Sequence, residues 1–355
     1  MRHHLALITA AFLSYAPPSQ AEVGIAGSKI DISPMCGKKP LTVGLADGFG
    51  GTTWRRTAIE ELRDELSKCS NVKKILYKDA RGNSSQANKD ITELVAQGVN
   101  VLIVFPDFGS QQLPAMREAT KAGVTVVPYL VKLEGEPGRD FTANVYEDTF
   151  LVGYAWAYWL GRSLHQGNVA FLGGTVDAKS SEGFLAGFKS GLRQFPNLKL
   201  VEDKPVVTNW NTSDTEKAID SLIKKHKKID AIASDFGLTA LAAVKKFEQL
   251  GLAPPSITTM ASNNELNCKY LDLKRQGKEF PYYTLDGTTT IIRTAVRRGV
   301  SEYQGTPNKE PLSLIPFLYA DSTARVFPKC MPDAPADADL SSSLTREQLK
   351  STFSK

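Results

Sequence analysis

From residue 41 onward, short apolar runs alternate with longer amphipathic stretches. The first half of the chain contains the runs "LTVGLA", "VKKILYKD", "NVLIVF" and "VTVVPYL", with helical periods near residues 54–67, 84–97 and 109–122 between them. Short apolar runs bounded by turn residues are typical of strands. Strands that alternate with helices predict an α/β fold whose parallel sheets are covered on both faces by helices.

The second half of the chain repeats this pattern after the break "KLEGEPGRD". The strand candidates there are "NVAFLG", "KLVEDKPVV", "IDAIAS", "SITTM", "PYYTL" and "SLIPFLY". The helical periods fall near 148–164, 180–194, 213–225, 237–250, 264–276 and 288–303. A chain of 355 residues is long enough for two cores, so we expect two α/β lobes.

Both ends of the chain differ from this pattern. A basic head, a short apolar run and a small-x-small ending predict that residues 1–21 are a secretory signal peptide, cleaved after Ala21. The mature protein is therefore expected in the periplasm. Residues 22–39 are predicted to be an irregular leader, and the Ala/Asp/Pro/Ser-rich residues 331–355 a surface tail.

The cysteine content indicates disulfides. An even number of cysteines in an exported protein predicts two bonds among Cys36, Cys69, Cys268 and Cys330. Cys36 precedes the first predicted strand and Cys69 follows the first helix, and these two ends of a strand–loop–helix unit lie close together. We therefore expect Cys36–Cys69 and Cys268–Cys330, one of three possible pairings. No CxxC spacing is present, and we expect no metal.

Charge and histidine content argue against several classes of function. A formal net charge of +5 over this length is too small to favour nucleic-acid binding. Apart from two histidines in the signal peptide, the chain has His165 at a helix end and His226 in the charged run "KKHKK". Neither follows a strand, so a Ser-His-Asp triad and a histidine metal site are disfavoured.

The loop "ADGFGGTTWRR" after the first strand raises the question of a ligand. It contains three glycines between residues 48 and 51, but Thr53 replaces the third glycine of a dinucleotide fingerprint, and the GK[ST] ending of a phosphate loop is missing. It does present Phe49 and Trp54 at the carboxyl end of a strand, where α/β proteins bind ligands. Aromatic faces suit the C–H face of a sugar.

Polar and aromatic residues follow most of the other predicted strands too. Asp and Asn also cap helices and shape turns, so any single one of these residues is as easily structural as ligand-binding. As a set they predict a cleft for a neutral polyhydroxyl ligand, lined by Asp47, Asp107, Tyr129, Trp210, Asp235, Asn263 and Asp286. The alternative is a secreted glycosidase that uses two of Asp107, Asp235 and Asp286 as paired carboxylates.

The segment "VGLADGFGGTTWRRTAIEEL" resembles the first strand and aromatic-tipped helix of the type I periplasmic binding proteins, the sugar-capturing subunits of bacterial ABC importers. Further segments similar to that family are "ELVAQGVNVLIVFP", "ATKAGVTVVPYL", "EDTFLVGYAWAYWLG" and "EGFLAGFKSGL". The resemblance covers roughly residues 40–325, and the chain is similar to the members that bind ribose and galactofuranose.

This resemblance implies two Rossmann-like lobes with a ligand in the cleft between them. The lobes would be joined by a three-segment hinge with crossings near residues 145, 286 and 312. The first lobe would then comprise residues 40–146 and 287–312. The second would comprise residues 147–286 and 313–330.

The resemblance also implies roles for single residues. Trp54 and Phe49 fall on the sugar-stacking aromatics of the family, and Trp210 on the aromatic that faces them. The hydroxyl-binding positions of the second lobe fall on Asp235, Asn263 and Asp286.

Three departures from the family pattern bear on the ligand. The asparagine often found before the proline of "FPD" is here Phe105. The usual Asp-Arg after the fourth strand is here Leu130-Val131, and the cleft arginine before "GFxxGF" is replaced around Ser181 and Glu182. We therefore include Glu182 in the expected site. With fewer charged clamps on hydroxyls, a deoxysugar, a polyol or another sugar-like compound fits as well as ribose.

The resemblance implies a binding protein rather than an enzyme. It would be a monomer without cofactors that delivers its ligand to the membrane permease of an ABC transporter. The alternatives are a periplasmic sensor that presents its lobes to a membrane receptor, and the glycosidase named above. A lac-repressor-like regulator shares the fold, but the export signal and the missing helix-turn-helix count against it.

Overall fold

The computed structural model describes residues 22–176 and 178–354, so the predicted signal peptide and its cleavage after Ala21 lie outside the described residues. The α/β prediction is confirmed, because the strands assemble into two separate sheets with helices packed against them. In the part of the chain described, no helix combines the length and apolar character that crossing a membrane requires.

The first sheet is parallel throughout. Its strand order is β1-β13-β6-β5-β4-β2-β3, with β2 in the interior, where Val43 pairs with Ile75 on one side and Val101 on the other. The apolar runs of β2 and β4 are buried on both faces, as expected for a parallel sheet. The strands are β1 (Val23–Ile25), β2 (Leu41–Asp47), β3 (Val72–Asp79), β4 (Val101–Val104), β5 (Thr125–Leu130), β6 (Val145–Glu147) and β13 (Ser313–Ile315).

The second sheet has the order β14-β12-β11-β10-β7-β8, with β9 paired to β7. All pairings are parallel except that of β12 with β14. The strands are β7 (Gly167–Gly173), β8 (Leu198–Leu200), β9 (Val206–Val207), β10 (Ala231–Ser234), β11 (Ser256–Met260), β12 (Tyr282–Asp286) and β14 (Phe317–Asp321).

Except for the last one, the helices lie close to the positions that the periodicity predicts. They are α1 (Thr53–Leu66), α2 (Ser84–Ala96), α3 (Leu113–Lys121), α4 (Thr149–Leu164), α5 (Lys179–Leu192), α6 (Thr212–His226), α7 (Gly237–Gln249), α8 (Asn264–Arg275), α9 (Ile291–Gln304) and α10 (Arg346–Phe353). Asn83, Asp148, Asn211 and Asn263 cap α2, α4, α6 and α8 by accepting backbone N–H groups.

The chain passes between the two sheets at three places. The first passage joins β6 to α4, the second leads from β12 into the short 3₁₀ helix Thr288–Thr290, and the third joins β13 to β14 at Pro316. The first two lie close to the expected crossings near 145 and 286. The third comes later than the expected 312, because β13 pairs with β6 and so belongs to the first sheet.

Both terminal segments differ from the prediction. Val23–Ile25 of the expected irregular leader adds an edge strand to the first sheet by pairing with β13. The expected surface tail is an ordered segment that ends in α10, and its Ala338, Leu340 and Leu349 are buried. Its low hydrophobicity concealed this, because much of its contact with the rest of the molecule is through hydrogen bonds.

The predicted disulfide pairing is confirmed. Cys36 bonds to Cys69, with their Cα atoms 5.3 Å apart, and Cys268 bonds to Cys330, at 4.9 Å. The first bond ties the residues before β2 to the end of α1. The second ties α8 to the start of the C-terminal segment.

Candidate ligand-binding site

Arg55 organises the carboxyl end of the first sheet. Its guanidinium binds Oδ1 of Asp47, which ends β2, and Oδ1 of Asp107, which follows β4, each at 2.7 Å. The guanidinium carbon lies 3.5 Å from the centre of the Phe105 ring, and Oδ2 of Asp107 accepts the N–H of Gly48. One arginine thus fixes two of the carboxylates predicted for the site.

Sequence reasoning missed Arg55. Thr52 caps α1 by accepting the N–H of Arg55, which places this arginine in the first turn of the helix. A cation is unfavourable there, because the helix N-terminus carries partial positive charge. An arginine at such a position needs an anionic partner, and that is the signal that could have revealed it. Leu130-Val131 leaves no arginine at the end of β5, and Arg55 supplies a guanidinium from α1 instead.

Burial opposes ionisation of both carboxyls in this cluster. Loss of solvent raises the pKa of Asp107 to about 6, and the nearby Arg55 counteracts part of that rise. The pKa of Asp47 is also raised by burial, with Arg55 again opposing the shift. The two carboxylates therefore depend on the guanidinium for their charge.

The predicted aromatics of the first lobe separate into exposed and buried ones. Phe49 is 48% exposed, and its ring lies 5.4 Å from that of Phe108. Trp54 is half-buried and packs edge-on against Phe105. Tyr129 was expected to line the cleft, but it is 1% exposed, inside the core of the lobe. Its ring packs under Phe105, so it supports the site from below.

Asp235 organises the carboxyl end of the second sheet. Its Oδ1 accepts the indole N–H of Trp210 at 3.0 Å, and its Oδ2 accepts the hydroxyl of Ser181. The Trp210 ring lies against Gly174, where a Cβ would come within 2.0 Å of ring atom Cε2, so only a residue without a side chain fits. The aromatic ring and the carboxylate, both predicted for the site, are therefore held as one unit.

The backbone around Trp210 is strained. Asn209 and Trp210 adopt φ values of +50° and +51°, in the left-handed region that non-glycine residues rarely occupy. Leu130, the last residue of β5, and Ala261 after β11 share this feature, with φ values of +70° and +46°. Such conformations cost of order 1–3 kcal/mol each and cluster at functional sites. Here they all lie at or just beyond the end of a strand.

Asp286 and Asn263 are held by neighbouring groups. Asp286 is fully buried and accepts both the backbone N–H and the hydroxyl of Ser262. Burial raises the pKa of Asp286, and the charge of Asp339 nearby raises it further. Asn263 caps α8 through its Oδ1, which accepts the N–H of Leu266 at 2.8 Å. This cap does not use the amide nitrogen of Asn263, and a ligand-binding role for that nitrogen stays a prediction.

Glu147 is a candidate site residue that the sequence analysis did not identify. It ends β6 of the first sheet and is 5% exposed, and its Oε1 has no hydrogen-bond partner among the residues described. Burial raises its pKa to about 8, with further contributions from the charges of Asp148, Asp235 and Asp286. A first-lobe carboxyl therefore lies within electrostatic range of two second-lobe carboxyls. The sequence feature that could have identified Glu147 is the adjacent pair of acids Glu147-Asp148, because only one of the two can cap α4.

Glu182 does not join this group. Its exposed carboxylate pairs with Lys179 on the outer face of the first turn of α5, with Nζ and Oε2 2.8 Å apart. The preceding Ser181 is the buried residue of this turn, and it donates to Asp235. The correction follows from helical geometry, because adjacent positions on a helix point about 100° apart.

The candidate site therefore consists of two clusters held by hydrogen bonds and of Glu147, whose Oε1 has no partner among the residues described. The first-lobe cluster is Arg55 with Asp47 and Asp107, and the second-lobe cluster is Asp235 with Trp210 and Ser181. Over the described ranges, no group of three or more histidine, cysteine or acidic side chains is arranged to hold a metal ion. Carboxylates that can accept hydroxyl groups, with aromatic rings beside them, suit reversible binding of a polyhydroxyl compound.

One family model matches most of this chain. The sequence model described as the periplasmic binding protein domain matches residues 44–278, which include both clusters and Glu147. Among curated proteins, the galactofuranose-binding protein of Escherichia coli (strain K12) is 25% identical over 230 residues, or 63% of this chain and 70% of that protein.

Solved structures share the two-lobed fold. One is a periplasmic solute-binding protein of an ABC transporter from Actinobacillus succinogenes 130z with bound D-allose. It is 20% identical, with a TM-score of 0.67 over 80% of this chain and 98% of that one. Another is the myo-inositol-binding protein of Caulobacter with bound myo-inositol. It is 21% identical, with a TM-score of 0.66 over 81% of this chain and 95% of that one.

Proposed function

This chain belongs to the periplasmic binding protein family, and we propose that it captures a sugar or sugar-like ligand between its lobes and delivers it to an ABC permease. The lobes would open and close about the three passages between the sheets. No bond of the ligand would be made or broken.

The observation that carries this proposal is the environment of Glu147. Its Oε1 is buried without a partner, and it lies near Asp235 and Asp286 of the opposite lobe. A buried polar group without a hydrogen bond costs about 1–3 kcal/mol, so this arrangement is favourable only when something supplies the missing partner. A ligand hydroxyl between the lobes would do so, and we propose that Glu147 contacts the ligand.

The two clusters support a ligand with both apolar and hydroxyl-bearing surfaces. Trp210 and Phe49 would stack on C–H faces of a ring, and Asp235 and Asp107 would accept hydroxyl groups. Side chains already held by Ser181, Gly174 and Arg55 lose little conformational entropy on binding, which favours affinity. A monosaccharide, a deoxysugar or a cyclic polyol fits this description.

The relatives support the same ligand class. The three relatives bind galactofuranose, D-allose and myo-inositol, which are a sugar with a five-membered ring, a hexose and a cyclitol. Membership of the family supports a location in the periplasm, and we propose that the signal peptide predicted for residues 1–21 is removed on export. We propose that the protein acts there as a monomer.

A thermal-shift screen tests the proposal directly. Purified protein would be heated with and without galactofuranosides, D-allose, D-ribose, myo-inositol and related polyols. A compound present at about 100 times its dissociation constant stabilises the folded state by about 2.7 kcal/mol, which is a clear rise in melting temperature. A panel that leaves the melting temperature unchanged throughout would argue against the proposed ligand class.

A companion measurement separates binding from catalysis. Hits from the screen would be incubated with the protein and recovered by chromatography, and aryl glycosides of the same sugars would be assayed for release of the aryl group. We expect full recovery and no release. Release that is lost in Asp235→Asn would instead identify the glycosidase alternative.

A further inference from the structure

The C-terminal segment contacts both lobes. It begins at Cys330, which is bonded to Cys268 of α8. The side chain of Asn264, also in α8, donates to the carbonyl of Met331 at 2.7 Å and accepts its N–H at 2.9 Å. The start of the segment is therefore attached to the second lobe by a covalent bond and a pair of hydrogen bonds.

The segment then changes lobe between two consecutive residues. The carbonyl of Asp337 accepts the hydroxyl of Thr53 at 2.7 Å, at the start of α1 in the first lobe. The carbonyl of Ala338 accepts the backbone N–H of Asn264 at 2.8 Å, at the start of α8 in the second lobe. Helix N-termini have unsatisfied N–H groups, and this segment supplies acceptors for two of those of α8, the carbonyl of Ala338 for Asn264 and that of Ala336 for Glu265.

The next residues contact the second passage between the lobes. The hydroxyl of Ser341 accepts the N–H of Gly287 at 2.8 Å and itself donates to Oδ1 of Asp339. Gly287 has a φ of +91° and directly follows Asp286. A buried chain from amide to hydroxyl to carboxylate therefore fixes the backbone at the point where the chain leaves the second sheet.

The end of the segment is attached to the first lobe. Oε1 of Glu61 in α1 accepts the Ser342 hydroxyl at 2.6 Å and the Ser343 N–H at 2.7 Å. The side-chain amide of Gln348 donates to Asp64, and α10 packs against α1. Glu61 is itself buried and paired with Arg293 of α9, so this attachment point is rigid.

From these contacts we propose that residues 330–353 form an interlobe strap, in which Ser341 is a positioning residue for the hinge at Gly287. The strap limits how far the lobes separate, because opening must break its bond to Thr53 or its bond to Asn264. This inference concerns the ligand-free protein and goes beyond the proposed function. It stands or falls whatever the ligand is.

The test uses the full-length protein without ligand. Ser341→Ala removes the acceptor of the Gly287 N–H, and Ser343→Ala is the matched control, because Ser343 is exposed and contacts Glu61 through its backbone. Hydrogen exchange is measured by mass spectrometry on a peptide covering residues 285–291, with a peptide from α5 as internal reference. X-ray scattering gives the radius of gyration.

We expect Ser341→Ala to speed exchange in the hinge peptide about tenfold, the effect of losing one hydrogen bond, and to increase the radius of gyration. Exchange in the α5 peptide and both measurements on Ser343→Ala should match the wild type. Equal hinge exchange in the two variants, or faster exchange throughout the chain, would overturn the positioning role of Ser341.

A second variant keeps the test decisive if Ser341→Ala does not fold. Thr53→Val removes the hydroxyl that binds the strap from the first lobe while retaining a side chain of the same shape. We expect a larger radius of gyration with unchanged exchange at Gly287. A radius of gyration equal to that of the wild type would overturn the limit on opening that the bond between the strap and Thr53 is proposed to set.

Discussion

Trp54 and Thr288 are joined by a hydrogen bond of 2.9 Å from the indole Nε1 to Oγ1. Trp54 lies at the start of α1 in the first lobe, and Thr288 follows the second passage between the lobes. The tryptophan expected to stack on a sugar therefore also contacts the hinge. Its replacement should affect both ligand affinity and the stability of the ligand-free protein.

We expect Trp54→Ala to weaken ligand binding at least about tenfold, corresponding to the loss of one aromatic contact, and to destabilise the ligand-free protein by about 2 kcal/mol through lost packing. Trp54→Phe retains a ring but not the bond to Thr288, and should cost about 1 kcal/mol. Isothermal titration calorimetry and thermal melting give the two quantities. An unchanged dissociation constant in Trp54→Ala would show that this residue does not contact the ligand.

Arg55→Ala should destabilise the protein by about 3 kcal/mol, because it leaves the buried Asp47 and Asp107 without their cation. Arg63→Ala is a matched control on the same helix, since that arginine is 46% exposed and pairs with Glu60 one turn away. The control should cost less than about 0.5 kcal/mol. Urea unfolding of both variants measures the difference, and equal costs would refute a structural role for the Arg55 cluster.

Glu147→Gln should stabilise the ligand-free protein at neutral and higher pH. The pKa of Glu147 is about 8 in the folded state, above the 4.5 of a solvated glutamate. As pH rises from about 4.5 to about 8, the unfolded chain loses this proton before the folded one does, so the wild type loses stability over that range. Glutamine does not titrate, and its advantage should grow to a few kcal/mol by pH 8.

Unfolding by urea at pH 4, 6 and 8 checks this, with Glu182→Gln as the exposed control. A stability difference between Glu147→Gln and the wild type that does not vary with pH would contradict the raised pKa. The same variant should bind the ligand more weakly. A variant that is more stable but binds less tightly indicates that the wild-type residue lowers stability in order to bind the ligand.

Reduction of the two disulfides should destabilise the protein by about 4 kcal/mol for each bond, from the chain entropy that loops of this length recover on unfolding. The bonded residues are separated by 33 and 62 positions. Thermal melting with and without a phosphine reductant measures the sum, and paired Cys→Ser variants separate the two contributions. Loss of Cys268–Cys330 should in addition speed exchange in the strap, whereas loss of Cys36–Cys69 should not.

The periodicity of the sequence was enough to predict most of the helices and strands, and the positions of the cysteines relative to those elements indicated the preferred disulfide pairing. Hydrophobic alternation is a local property, and parallel strands joined by helices leave few arrangements open. Strand ends were also predictable, which is why Asp47, Asp107, Asp235 and Asp286 were identified before their surroundings were known.

Their chemical roles were not predictable in the same way. Whether a carboxylate at a strand end is paired, capped or unpartnered depends on side chains from distant parts of the chain. Arg55 meets Asp107, and Trp210 meets Asp235, only because separate strands and helices pack side by side. For the same reason Tyr129 was placed in the site although it is core, and Glu147 was overlooked.

The sequence by itself determined the α/β class, the order of the elements and the aromatic and acidic character of the strand ends, because each of these is written in neighbouring residues. Only the tertiary structure decided which acids hold a cation, which one remains unpaired, and that the polar C-terminal residues link the two lobes. Those outcomes depend on long-range hydrogen bonds and burial, which leave no periodic signal in the sequence.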